Sequence, residues 1–151
     1  AEGRIVMMDA IALAVEEGVD AIIDIATLTG AALMALGQLT APVLGNDQRV
    51  VDLTLAASAV TGEPLWQLPL ERKYRPQLDS DVADLANIGG RYAGATTAAL
   101  FLDHFTRKTP WAHLDIAGTM AVDADESWRS KGATGFGARL LLETALTFTK
   151  A

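Results

Sequence analysis

Apolar residues recur along this chain at helical spacing in some stretches and as short β-branched runs in others. Over 5–17, Met8, Ile11, Ala12 and Val15 stand at intervals of three, four and seven, which predicts a helix stopped by Gly18. The isoleucine-rich run 21–25 predicts a buried strand. A short helix is expected over 30–36, closed by Gly37. A second strand is expected over 41–44, with Pro42 tolerated near its start. Asp47 is placed to cap a helix that runs to Thr61 and ends at Gly62 and Pro64. Residues 62–92 hold three of the five prolines and the adjacent Gly89 and Gly90, so they read as loops with a short helix and one short strand. Ala98, Phe101, Leu102 and Phe105 share one face of a helix expected over 96–107. A third strand is expected over 111–116 and a glycine- and charge-rich loop over 119–135. Ala138, Leu141, Leu142 and Ala145 mark a closing helix over 137–148.

Helices and short buried strands therefore alternate. That order predicts an α/β domain of three layers, with a largely parallel (mixed) sheet flanked by helices. Functional loops in such sheets lie beyond the carboxyl ends of the strands. Three segments qualify: 26–30, 45–47 and 117–120.

Composition narrows the choice of function. Half of the 151 residues are apolar but only 6% are aromatic, so the core must come mainly from Ala, Leu, Ile and Val. A net charge of −7 argues against nucleic acid or an anionic membrane as partner, because phosphates need Lys and Arg to displace their counterions. The absence of cysteine removes disulfides, thiolate metal sites and a cysteine nucleophile, and fits a reducing compartment. No run reaches the roughly 20 apolar residues that span a bilayer. The opening A-E-G-R has neither an initiator Met nor the order of a signal peptide, and reads as the start of a processed or truncated piece.

Four stretches could carry chemistry. Glu2 offers a carboxylate to a hard cation, and Arg4 a fixed fork of donors to a carboxylate-like anion. Both are expected just before a helix, where a plain helix start explains Glu2 equally well. D-I-A-T-L-T-G at 24–30 presents two threonines and a glycine at a strand-to-helix junction, suited to an anion or a peptide backbone, or to simple capping. Asp24 inside a strand needs a partner, since a buried unpaired carboxylate is costly. N-I-G-G-R-Y-A-G-A at 87–95 implies close backbone approach but lacks either phosphate-loop spacing. H-L-D-I-A-G-T-M at 113–120 adds Asp115 and an adaptable apolar wall. His104 and His113 fall on different elements and no H-E-x-x-H occurs, so a histidine zinc site is unsupported. The serines lack a G-x-S-x-G context.

Taken together and in order, these segments resemble the leucyl aminopeptidase, or cytosol aminopeptidase, family. The family signature N-T-D-A-E-G-R ends as this chain begins, A-E-G-R-I-V-M-M-D-A. D-I-A-T-L-T-G-A, S-D-V-A-D-L-A-N-I-G-G-R-Y-A-G-A-T-T-A-A-L-F-L, W-A-H-L-D-I-A-G and K-G-A-T-G-F-G-A-R-L-L follow. The resemblance implies hydrolysis of an N-terminal, Leu-like residue from peptide substrates by two divalent ions (Mn, Zn or Mg). It implies a cytoplasmic homo-hexamer. By the same resemblance Glu2 is a metal ligand and Arg4 holds bicarbonate at the catalytic centre. Thr27, Leu28, Gly30 and Ile88 meet the substrate, and Ala117 and Met120 wall its first side-chain pocket. The family's remaining ligands, three aspartates and a lysine, and a second catalytic lysine all fall before Ala1, as does a separate N-terminal domain. The chain is thus expected to be the C-terminal part of a catalytic domain. Alone it is expected to hold no metal pair and to cleave nothing, and, with a sheet edge and apolar faces exposed, to self-associate or to exist only alongside the missing half. Two other readings stand beside this one: an anion- or nucleotide-binding α/β module using Gly30 and the Gly89 loop, and a structural subunit of a larger shell.

Overall fold

The computed structural model describes residues 1–150. Its elements run α1 (Glu2–Glu16), β1 (Ile22–Ala26), α2 (Gly30–Leu36), β2 (Ala41–Gly45), α3 (Gln48–Thr61), β3 (Leu65–Gln67), a 3-10 helix (Arg72–Leu78), α4 (Gly94–Phe105), β4 (Trp111–Asp115), β5 (Ala121–Val122), β6 (Gly132–Ala133) and α5 (Ala138–Thr147). Four strands form one sheet in the order β1-β4-β2-β3. β1 and β4 are parallel, as are β2 and β3, while β2 runs antiparallel to β4. The expected mixed α/β architecture is present.

Side-chain alternation along the strands builds two apolar layers. Ile22, Leu44 and Trp111 face α1, α4 and the 3-10 helix, where they meet Ile11, Leu78, Leu100, Phe101 and Leu102. Val43, Ala112 and Leu114 face the other way, onto Val50, Val51 and Ala57 of α3 and Leu140 of α5. Each such leucine contributes about 1.5–3 kcal/mol through burial. α3 starts and stops as its sequence predicts. Asp47 accepts from the Arg49 and Val50 backbone N–H groups, and Gly62 closes the helix at φ 68°.

Four expectations need correction. α1 begins at Glu2, not at residue 5, so Glu2, Gly3 and Arg4 form its first turn instead of preceding it. Arg4 stays helical because its buried side chain is anchored to another segment. α4 keeps its expected length but starts and ends two residues earlier, while α5 is one residue shorter at each end than its apolar stripe suggests. The 119–135 segment holds a two-stranded antiparallel ribbon, β5 with β6. Finally, because β2 is antiparallel to β4, the 45–47 loop lies at the opposite end of the sheet from 26–30 and 117–120.

Candidate functional site

The carboxyl ends of β1 and β4 lie side by side, Ala26 opposite Asp115. Three helix N-termini gather around them. A Cβ built on Gly3 of α1 would stand 3.5 Å from Leu28 Cδ1, and one on Gly94 of α4 would stand 2.9 Å from Ala31 of α2. Gly94 therefore needs to be glycine for the close approach of α4 to α2, whereas a Cβ at Gly3 would meet Leu28 in ordinary van der Waals contact. The 117–120 loop presses against the far end of α2, where a Cβ on Gly118 would come within 2.0 Å of the Gly37 carbonyl oxygen.

Asp115 joins the two loops. It is 1% exposed. Its Oδ1 accepts from the backbone N–H groups of Leu28 (3.1 Å), Thr29 (3.2 Å) and Ala117 (3.2 Å). Its Oδ2 accepts from the Thr29 hydroxyl at 2.6 Å. The Thr29 oxygen in turn accepts from the Ala32 N–H and caps α2. A buried carboxylate is tolerable because its lone pairs are met by donors.

Arg4 is buried on the same side. Its Nη1 donates to the Asn87 carbonyl at 2.6 Å, and the Asn87 amide donates back to the Ala1 carbonyl at 3.1 Å. Burial lowers the affinity of the guanidinium for its proton, while the negative charge of Asp115 acts the other way. An arginine remains cationic under such a shift. Ile88, next to Asn87, is exposed. The clasp thus brings the 87–88 segment to the first turn of α1.

Deeper in the sheet lies a second polar group. Asp24 accepts from Trp111 Nε1 at 2.6 Å and pairs with His113 Nδ1. This is the partner that a strand aspartate requires. Burial pushes the His113 imidazole down, but the charge of Asp24 and its hydrogen bond outweigh burial and raise it. His113 Nε2 is buried and has no hydrogen-bond partner among the described residues.

The residues expected at the site lie at different distances from this corner. Thr27, Leu28, Gly30 and Ala117 share the Asp115 corner, with Arg4 nearby. Met120 is 44% exposed at the end of the 117–120 turn. Glu2 is exposed on the first turn of α1. Asn87 and the bonding of Asp115 were missed by sequence reasoning. Trp111, His113 and Asp115 at alternate positions do put polar atoms on one strand face, and that spacing was the available signal. A Cβ on Gly30 meets nothing within 4 Å, so the space beside it is open.

The metal chemistry implied by the resemblance can be tested against these side chains. Among the described residues no three His, Asp or Glu side chains gather into a metal-binding group. Glu2 is open, whereas both oxygens of Asp115 are engaged. The described residues do not by themselves fit a two-ion centre, which needs several oxygen donors. Among them, too, no helix is long and apolar enough to cross a membrane.

Fold and loops define an α/β domain that presents its candidate site beyond the carboxyl ends of adjacent parallel strands. The chain belongs to the cytosol aminopeptidase family, whose catalytic domain matches residues 1–142. It is 49% identical over 146 residues to a probable cytosol aminopeptidase of Synechococcus sp. (strain JA-3-3Ab), a match covering 97% of this chain and 29% of that protein. A probable cytosol aminopeptidase of Geobacter sulfurreducens is 50% identical over 143 residues, covering 95% and 29% respectively. One from Alkaliphilus metalliredigens is 45% identical over 150 residues, covering 99% and 30%. The chain thus spans under a third of the length of these curated relatives.

Proposed function

We propose that this chain supplies one side of the active site of an aminopeptidase that removes N-terminal, Leu-like residues from peptides. In this reading Glu2 is one ligand of a two-ion centre completed by residues outside this segment. Glu2 and those other residues would hold two divalent ions, Mn, Zn or Mg, which would supply a Lewis acid for the scissile carbonyl and an activated water. Arg4 presents its fork to a bicarbonate-like anion. Thr27, Leu28 and Gly30 receive the substrate backbone, Ala117 and Met120 border the first side chain, and Ile88 the next. The segment by itself is inactive and works within a cytoplasmic hexamer.

One observation carries the reading: in a chain of this family Asp115 binds both candidate substrate loops, and the first turn of α1, with its buried Arg4, lies against Leu28 of one of them. The test is hydrolysis of leucine anilide by the full-length protein supplied with Mn, Zn and Mg in turn. Activity is expected with at least one ion. Arg4→Ala should lower kcat roughly a hundredfold if the bound anion moves a proton. Absence of cleavage with all three ions overturns the reading.

A further inference from the structure

We propose that Asp115 is a positioning residue for peptide binding: its carboxylate fixes three peptide planes and thereby aims the carbonyls of Thr27 and Leu28 outward as acceptors for an extended substrate. This rests on the aminopeptidase reading above and adds a role for a side chain that the reading leaves without one.

The argument starts from peptide geometry. None of the peptide bonds is cis. In a trans peptide the N–H and the preceding C=O point in opposite directions within one plane. The N–H groups of Leu28 and Thr29 point at Asp115 Oδ1. The carbonyls of Thr27 and Leu28, which share those planes, therefore point away from it. Among the described residues neither carbonyl accepts a hydrogen bond. Thr27 is exposed and Leu28 half-buried, so two acceptors are left for a ligand at the strand end.

The third plane follows the same logic to a different end. Ala117 N–H points at Asp115, so the Ile116 carbonyl points away. That carbonyl accepts from Thr119 N–H (3.1 Å) and Met120 N–H (3.0 Å) and closes the 117–120 turn. One carboxylate thus sets both the backbone acceptors on the 26–30 loop and the turn that carries Ala117 and Met120. A peptide backbone offers N–H donors to the first and a side chain to the second. The free charge on Asp115 matters here, because N–H groups bind an anion about twice as strongly as a neutral acceptor.

The experiment compares wild type, Asp115→Asn, Thr29→Val and Thr29→Ser in the full-length, metal-supplied protein with leucyl peptides. Asp115→Asn and Thr29→Val should raise KM roughly tenfold while kcat changes less. Thr29→Ser keeps the hydroxyl and should restore KM to within about twofold of wild type. In the absence of substrate, the amide protons of Leu28, Thr29 and Ala117 should all move upfield in Asp115→Asn, and those of the β1–β4 ladder should stay. If Asp115→Asn does not fold, the Thr29 pair decides. An active enzyme whose KM is unchanged by Asp115→Asn, or by Thr29→Val, overturns the proposal alone. So does a fall in kcat at constant KM, or a raised KM with the three amides unmoved. A wild type that cleaves nothing overturns the aminopeptidase reading and this inference with it.

Discussion

Each end of the sheet is tied by one polar side chain, and the two ties are built differently. At the end where β2 stops, Asn46 is the tie. Its Nδ2 donates to Asp103 Oδ1 (3.0 Å), the Thr106 hydroxyl (3.1 Å) and the Thr109 carbonyl (3.1 Å). Its Oδ1 accepts from Trp111 N–H at 2.8 Å. At the other end Asp115 plays the corresponding part with a carboxylate that only accepts. Asn46 is a neutral amide whose partners lie between α4 and β4, and the one carboxylate among them, Asp103, is paired with Arg72 at 2.7 Å. Asp115 brings a full charge to the strand end, with Arg4 close enough for that charge to be felt. A neutral, self-satisfied junction serves the fold. A buried charge costs more than a neutral amide at the same place, so its presence at the end where the loops gather points to use.

Glycines test whether the two ends are equally rigid. A Cβ on Gly45 would stand 2.5 Å from the Trp111 carbonyl oxygen and 2.6 Å from Val51 Cγ2. On Gly118 it would stand 2.0 Å from the Gly37 carbonyl oxygen. In both cases backbone must move. Gly45→Ala and Gly118→Ala should each cost about 3 kcal/mol or more in denaturant unfolding. Only Gly118→Ala should also disturb the Asp115 corner, seen as altered amide shifts at Leu28 and Ala117. Equal disturbance of those amides by Gly45→Ala would erase the distinction between the ends.

Asn46→Ala sharpens the contrast further. It removes the acceptor for Trp111 N–H and the donor to three oxygens, while Asp103 keeps its ion pair with Arg72 at 2.7 Å. The expected loss is about 2 kcal/mol of stability. Leucyl-peptide hydrolysis by the full-length protein, measured well below its melting temperature, should keep its KM. A raised KM without loss of stability would mean that the β2 end also serves the site.

Much of this arrangement was legible in the residues. Asp47 and Gly62 bracket α3 because each supplies what a helix end lacks, an acceptor at the start and a left-handed residue at the stop. The start of α1 was hidden, because Ala1 provides no side-chain cap and Gly3 is a poor helix former. What holds that turn is the bond from Arg4 to Asn87, 83 positions away. Asp115 and its Leu28 donor are likewise 87 positions apart. Local pattern does not announce such pairs. The direction of β2 was within reach of simple lengths. A seven-residue helix such as α2 is about 10 Å long, shorter than the roughly 17 Å of a five-residue strand. It does not carry the chain back to the start of β1, and the contact of Gly37 with Gly118 shows it ending still near the carboxyl end of β4. β2 therefore begins there and runs the other way.

The smallest expected effect separates the two helix caps that flank these ends. Thr29 caps α2 through a hydroxyl that also donates to Asp115, so its cap belongs to the site. Asp47 caps α3 through a carboxylate paired only with its own neighbours, Arg49 and Val50. The Arg49 side chain, together with the two backbone N–H groups, holds the Asp47 carboxyl below the ordinary carboxylate range. A depressed acid stabilises the folded state above its unfolded value of about 3.9, and that contribution disappears as pH falls through the lower, folded value. Asp47→Ala should therefore cost about 1 kcal/mol near neutral pH, with little from the exposed Arg49 pair. Chemical unfolding of wild type and variant from pH 7 down to acid should show the two curves converging in the carboxylate range. Thr29→Val removes an uncharged cap together with a donor to Asp115. A difference between wild type and Asp47→Ala that persists below the carboxylate range would mean that the cap acts by shape and not by charge.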